Sequence, residues 1–258
     1  MAEISKTDKP VLVLLHGWGV NQGVWHTLLN EISPRVAVRC LDIPGFGSAQ
    51  QLPSPYNFDA VLAALATQIP DNSMVCGWSL GGLLAIALAE RYPKKVMQLG
   101  LIAATPCFLQ KPDWPGMKAV VLEQFSQALQ RDLSQTIGRF LAIQAMGSST
   151  AKSDAAALKL AIAAFPQARA EALSAGLGFL TQEDLRHSYA NLTQPVAACF
   201  GALDSLVPVA VVTELQRLKP HAKLTTLAKA SHAPFISHRQ EFLIWLNNWL
   251  EAATTSCD

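Results

Sequence analysis

Short apolar runs alternate with amphipathic stretches through the first hundred or so residues of this chain. Residues 11–15, 36–41, 74–76 and 99–103 are brief, partly β-branched and bounded by Gly, Pro or Asp, the pattern of strands buried on both faces of a parallel sheet. Between them, residues 24–32, 58–68 and 83–91 carry apolar positions at helical spacing. Alternation of this kind predicts an α/β fold: a mostly parallel, doubly wound sheet with right-handed crossovers. The alternation then stops. From 107 to 194 the pattern is helical, punctuated by Pro115, Gly147, Pro166 and Gly176. One apolar stripe runs through Met117, Val120, Val121, Phe125 and Leu129, a second through Ile137, Phe140, Leu141 and Ile143. Strand character returns at 196–200 and 224–227, followed by an amphipathic helix over 241–251. The expected organisation is a core of residues 1–106 and 195–258 with a helical cap inserted at 107–194. Such a cap is expected to roof the C-terminal edge of the sheet, where open α/β sheets place their ligands.

Composition narrows the function classes. Half of the 258 residues are hydrophobic, enough for a large core in one domain with an insertion. A net charge of +1, with no block of Lys or Arg, gives no reason to expect nucleic acid or a membrane-surface helix. No apolar run reaches the roughly 18 residues a membrane span needs, and residues 1–10 lack the apolar stretch of a secretory signal. The five cysteines are scattered without C-x-x-C spacing, which suits reduced thiols in a cytoplasmic protein and argues against a zinc site. The expectation is a cytoplasmic monomer needing neither metal nor cofactor.

Against that background one pentapeptide stands out. Gly77-Trp78-Ser79-Leu80-Gly81 follows an apolar run and opens a long apolar helical pattern. A G-x-S-x-G between strand and helix is the signature of a nucleophile elbow, whose tight turn lifts the serine hydroxyl to the top of the sheet. The bland alternative is an ordinary strand-to-helix turn. A serine hydroxyl needs a base, and the base needs a third group to fix its tautomer. In this fold the order is Ser, acid, His. Of six histidines, His16, His26 and His221 fall before the last strand or in helical stretches, and His187 lies in the cap. His232 sits in a small-residue loop between the last strand and the last helix, the place for the base. His238, close by, has the look of a helix N-terminus. Asp204, at the end of the strand-like run 196–200, is the candidate acid, with a helix cap or turn as its structural alternative. Asp42 also follows a strand but precedes the serine. The oxyanion needs two preorganised donors. Leu80 N–H is one, and Trp18 N–H, in His16-Gly17-Trp18-Gly19 after the first strong strand, is the other. The Trp18 indole is then expected to wall the pocket.

These residues together resemble the α/β-hydrolase superfamily over essentially the whole chain. The resemblance narrows further, to the pimeloyl-acyl-carrier-protein methyl ester esterases of biotin synthesis. It rests on the three loops 14–19, 42–47 and 77–82, on the cap segments Asp113-Trp114-Pro115-Gly116 and Arg139-Phe140-Leu141-Ala142-Ile143-Gln144, and on the histidine loop 230–238. The loops are shared by many hydrolases, whereas the cap and histidine segments are more specific. The resemblance implies cleavage of the methyl ester of pimeloyl-acyl carrier protein, with release of methanol. Ser79 would be the nucleophile, His232 the base and then acid, and Asp204 its orienting group. It implies a substrate pocket of Trp18, Ser79, Leu80, His232 and the Phe140, Ile143 and Gln144 cap segment. It also implies that the acidic carrier protein meets basic cap side chains, here Arg139 and Lys152. Gln135 and Ala156 stand where further charge would help, and the balance over 131–169 is only mildly positive. A broad short-chain carboxylesterase or a C–C bond hydrolase on the same triad remains open at this point. So does a non-catalytic binding module on the same scaffold, although that would predict a broken triad.

Overall fold

The computed structural model describes residues 9–32, 34–132, 135, 136, 138, 139 and 151–255. Six strands, β1 (Val11–Leu15), β2 (Ala37–Leu41), β3 (Ser73–Trp78), β4 (Val96–Ile102), β5 (Val196–Gly201) and β6 (Lys223–Leu227), pair in parallel in the order β2-β1-β3-β4-β5-β6. The helices are α1 (Phe58–Ala66), α2 (Leu80–Arg91), α3 (Ala119–Arg131), α4 (Ala151–Ala163), α5 (Ala170–Gln182), α6 (Arg186–Asn191), α7 (Ala210–Leu218), α8 (Pro234–Ser237) and α9 (Arg239–Thr255).

The central strands β3 and β5 are buried at every residue, so both faces of the sheet need cover. Alternate side chains supply it. Val13, Leu15, Val75, Leu101 and Phe200 pack with α1, α2 and α7 in one cluster. Leu12, Leu14, Met74, Cys76 and Cys199 pack with Phe235, Phe242 and Leu246 of α8 and α9 in the other. The chain leaves β1 for β2 on one side and returns as β3 on the other. The loops after β1 and β3 therefore part company above the sheet, at the switch point where α/β folds form a ligand crevice.

Helices α3 to α6 lie between β4 and β5 in the chain. Arg186, at the start of α6, ties this stretch to its own entrance. It bonds Asp113 at 2.9 Å and Asp184 at 2.8 Å and lies 5.5 Å over the Trp114 ring, while Trp114 Nε1 donates to the Cys107 carbonyl. These bonds hold Asp184 well below the usual carboxylate range. At its other side, Arg169 N–H donates to the Gly45 carbonyl at 2.8 Å.

The hydrophobic pattern misjudged three details. Residues 24–32 form no α-helix: a 3-10 turn, Gln22–Trp25, is followed by further turns. Val24, Trp25, Leu28 and Ile32 are all buried, so their four-residue spacing served packing, not helix formation. Helix α2 starts at Leu80, immediately after the serine, three residues earlier than its periodicity shows. In α3, Val120 is 52% exposed, and Leu122 takes its place in the core. The second stripe (Ile137, Phe140, Leu141, Ile143) lies outside the described residues. Cys76, Cys107 and Cys199 are buried free thiols, and burial pushes Cys40 and Cys199 up to about 12. No described helix is long and apolar enough to cross a membrane.

Candidate active site

Ser79 stands between β3 and α2 with φ 53° and ψ −117°, a conformation that costs a non-glycine residue on the order of 1–3 kcal/mol and persists only where the surroundings impose it. The surroundings are glycines. A side chain on Gly77 would collide with the backbone of Gly81 and Gly82, and one on Gly81 with the Leu15 and His16 carbonyls at the end of β1. The turn is also pinned by Ser79 N–H, which donates to the Ile102 carbonyl at 3.0 Å. Leu80 is the first residue of α2, so its N–H has no carbonyl one turn earlier in the helix, and the positive end of the helix dipole lies there.

Asp204 follows β5 and is buried. Its Oδ1 accepts the N–H groups of Leu206 and Val207 at 2.8 and 2.9 Å, and its Oδ2 accepts the His232 Nδ1–H at 2.7 Å. With both oxygens occupied, the carboxylate has one orientation and imposes one tautomer on the imidazole. His232 is held from behind as well: its carbonyl accepts Trp78 Nε1–H at 2.8 Å. Its Nε2 is buried and, among the described residues, has no hydrogen-bond partner. Ser79 and His232 are thus not hydrogen-bonded here, a looseness common when no substrate is bound.

Trp18 follows β1, is buried, and donates its Nε1–H to the Leu173 carbonyl of α5 at 2.9 Å. With Ser79 it lines a narrow cavity of about 20 Å³, closed by Phe108, Met117, Leu122, Phe125, Leu177, Leu180 and Leu206. Of these, the sequence points to Trp18 and Ser79 as pocket residues, and places Met117 and Phe125 only on an apolar cap stripe. Nothing in it marks Phe108, Leu122, Leu177, Leu180 or Leu206, whose only signal is membership of apolar stretches with no marked direction. Phe140, Ile143 and Gln144, expected in the pocket, lie outside the described residues. Arg139 and Lys152 are exposed. Arg139 edges a polar depression together with Gln124, Gln127, Arg131 and Gln135.

The other histidines are disposed otherwise. His238 follows α8 and contacts the Ser237 hydroxyl at 3.0 Å. His26, His187 and His221 are exposed. His16 is buried beside Asp42, but its Nδ1–H donates to the Gly17 carbonyl at 2.7 Å and its Nε2 accepts the Ile43 N–H at 3.0 Å.

Known proteins share this chain's fold and sequence. A family model described as the alpha/beta hydrolase fold matches residues 10–239. A relative named pimeloyl-[acyl-carrier protein] methyl ester esterase, from Pseudoalteromonas atlantica, is 47% identical over 237 residues, covering 91% of this chain and 92% of the relative. Another of the same name, from Aliivibrio salmonicida, is 40% identical over 240 residues, covering 93% and 92%. The chain belongs to the pimeloyl-[acyl-carrier protein] methyl ester esterase family of α/β hydrolases. In this esterase family's wider fold, the solved esterase from Exiguobacterium antarcticum superposes with a TM-score of 0.85 at 19% identity, over 95% of this chain and 92% of that one. At that identity the likeness speaks for the fold alone.

Proposed function

We propose that this protein is a serine carboxylesterase that hydrolyses the methyl ester of pimeloyl-acyl carrier protein, releasing methanol and the free carboxylate. The substrate follows from the two relatives at 47% and 40% identity over nearly the whole chain. The observation that carries the chemistry is the buried His232–Asp204 pair, which among the described residues leaves the second imidazole nitrogen without a partner, in a chain whose elbow serine is strained.

In this reading His232 Nε2 takes the Ser79 hydroxyl proton as Oγ attacks the ester carbonyl, and Asp204 stabilises the resulting imidazolium. The oxygen of the tetrahedral intermediate is held by the N–H groups of Trp18 and Leu80. His232 then protonates the departing methoxide, and methanol leaves an acyl-enzyme. Water, deprotonated by the same nitrogen, attacks that acyl group, and the returning proton frees Ser79. Residues 107–194 act as a cap over this site, with the acyl methylenes lying among the apolar side chains of α3 and α5, each buried CH₂ worth about 0.8 kcal/mol. A cavity of about 20 Å³ has to widen to receive such a chain, and the unbranched Met117 in its wall suits that adjustment. Arg139 and Lys152 face the acidic carrier protein. The enzyme works as a cytoplasmic monomer.

The test is methanol release from pimeloyl-carrier-protein methyl ester beside small methyl esters, with rescue of a biotin auxotroph lacking the esterase. Equal efficiency on all esters, without rescue, would replace this reading by a broad short-chain carboxylesterase. No turnover of any ester would leave a binding module.

A further inference from the structure

Asn21 lies three residues beyond Trp18 on the loop leaving β1, and it is a polar side chain only 4% exposed. The two ends of its amide serve different elements. Oδ1 accepts the Gly23 N–H at 3.0 Å and so caps the 3-10 turn Gln22–Trp25. Nδ2 donates to the Ile162 carbonyl at 3.0 Å, in the last turn of α4, where helix carbonyls lack partners of their own. The contact is close: a side chain on Gly23 would collide with the Ala161 carbonyl of the same helix turn. The four residues of loop from Trp18 to Asn21 thus run between two ties to the inserted helices, Trp18 Nε1 on α5 and Asn21 Nδ2 on α4.

We propose that Asn21 is a positioning residue for the oxyanion donors: it seats the loop carrying the Trp18 N–H on helix α4. This rests on the reading of Ser79 as nucleophile and of the Trp18 and Leu80 N–H groups as oxyanion donors. Oxyanion donors act over about 2.7–3.1 Å, and a displacement of about 1 Å can cost on the order of 10²-fold in rate. The loop leaves the β1 ladder, is tied to α5 by the Trp18 indole and to Asp42 by Gln22, and takes its seat on α4 through the Asn21 amide, so loss of that amide shifts the loop relative to α4. The chemistry of the amide is specific. An aspartate keeps the acceptor toward Gly23 but turns a negative oxygen on the Ile162 carbonyl. A serine keeps an acceptor and loses the reach to α4.

The experiment compares wild type with Asn21→Asp and Asn21→Ser on p-nitrophenyl butyrate, and measures inhibition by butylboronic acid, whose tetrahedral adduct places an oxygen at the oxyanion position. Active sites are counted by mass spectrometry after diethyl p-nitrophenyl phosphate labelling. For Asn21→Asp, kcat should fall about 10-fold or more with KM within about twofold, and Asn21→Ser should lose less. The boronate Ki should rise by the factor by which kcat/KM falls, while the pH profile keeps its shape. Fully titratable variants with wild-type kcat and Ki overturn the proposal. So does a loss of active-site count with Ki unchanged, which marks a merely structural residue. Should Asn21→Asp fail to fold, Asn21→Ser decides by the same two readouts. Label found elsewhere than on Ser79 in the wild type removes the underlying reading, and the proposal with it.

Discussion

Two histidine–aspartate pairs are buried near the C-terminal edge of this sheet, and they have opposite economies. In the first, His16 uses both ring nitrogens on backbone groups, and Asp42 accepts from Gln22 N–H, Gln22 Nε2 and Ser48 N–H at 2.7 to 2.8 Å. The two side chains are 3.6 Å apart, and both ring nitrogens of His16 are engaged with backbone groups. In the second, Asp204 fixes His232 at 2.7 Å and, among the described residues, the outer nitrogen has no partner. Burial is the same in both. In the proposed reaction, what separates the structural pair from the working one is hydrogen-bonding capacity left over and held dry.

The widest separation between the pairs should come through the serine. Ser79→Ala is expected to keep the fold and cut ester hydrolysis by at least about 10³-fold, whereas Ser48→Ala, which leaves the backbone donor to Asp42 in place, should stay near wild type. Residual activity of Ser79→Ala above about a tenth would remove it as nucleophile. Next, Asp204→Asn should lower kcat on the order of 10³–10⁴-fold by releasing the His232 tautomer. Asp42→Asn instead turns an amide NH₂ toward N–H donors, which costs about 1–3 kcal/mol. Its signature should be a lower Tm in calorimetry with kcat largely kept. If Asp42→Asn proved the more damaging to kcat, the roles given to the two pairs would be reversed.

A subtler contrast lies in pH. Burial holds His16 below its ordinary 6.5, with Asp42 only partly opposing this. Below about pH 6.5 the unfolded chain therefore takes up a proton that the folded chain refuses, so folding weakens as pH falls through that value and is unaffected by this group above it. Thermal melts from pH 7.5 to 5.5 should show a fall in Tm that shrinks in His16→Gln. The smallest effect belongs far from either pair. Arg139→Glu with Lys152→Glu should weaken kcat/KM for the carrier-linked ester by several-fold, about 0.5–1 kcal/mol per charge, and less as salt rises. Hydrolysis of a small neutral ester should hold steady. Equal losses on both substrates would indicate a damaged cap.

The chemistry was more legible in the sequence than the pocket was, for a physical reason. Gly77 is demanded by the backbone of Gly81 and Gly82, so the turn around Ser79 is written locally, while Gly81 also answers to the Leu15 and His16 carbonyls at the end of β1. Asp204 and His232 were found by chain order, and the structure brings the two together at hydrogen-bonding distance. The cavity wall is different. Phe108, Leu177, Leu180 and Leu206 line one cavity with Ser79 only because α5 and the loops after β4 and β5 converge there, and nothing in their own neighbourhoods sets them apart from core residues. The same holds for residues 24–32, where a four-residue apolar rhythm predicted a helix and the buried turn against α8 and α9 prevailed. Asn21 was invisible for both reasons: a common loop residue, it gains meaning only from a helix 141 residues away.

The cavity beside Ser79 has one further consequence. Of its nine described lining residues none bears a formal charge, and Trp18 has already committed its indole N–H to Leu173. A carboxylate buried without a charged partner is disfavoured by several kcal/mol, so a lining of this kind suits an ester better than a free acid. In the proposed reaction the carboxylate formed at Ser79 would have only the Trp18 and Leu80 N–H groups and the His232 ring to hold it. Turnover would then turn a guest that suits the cavity into one that suits water better, which favours release of product over its retention.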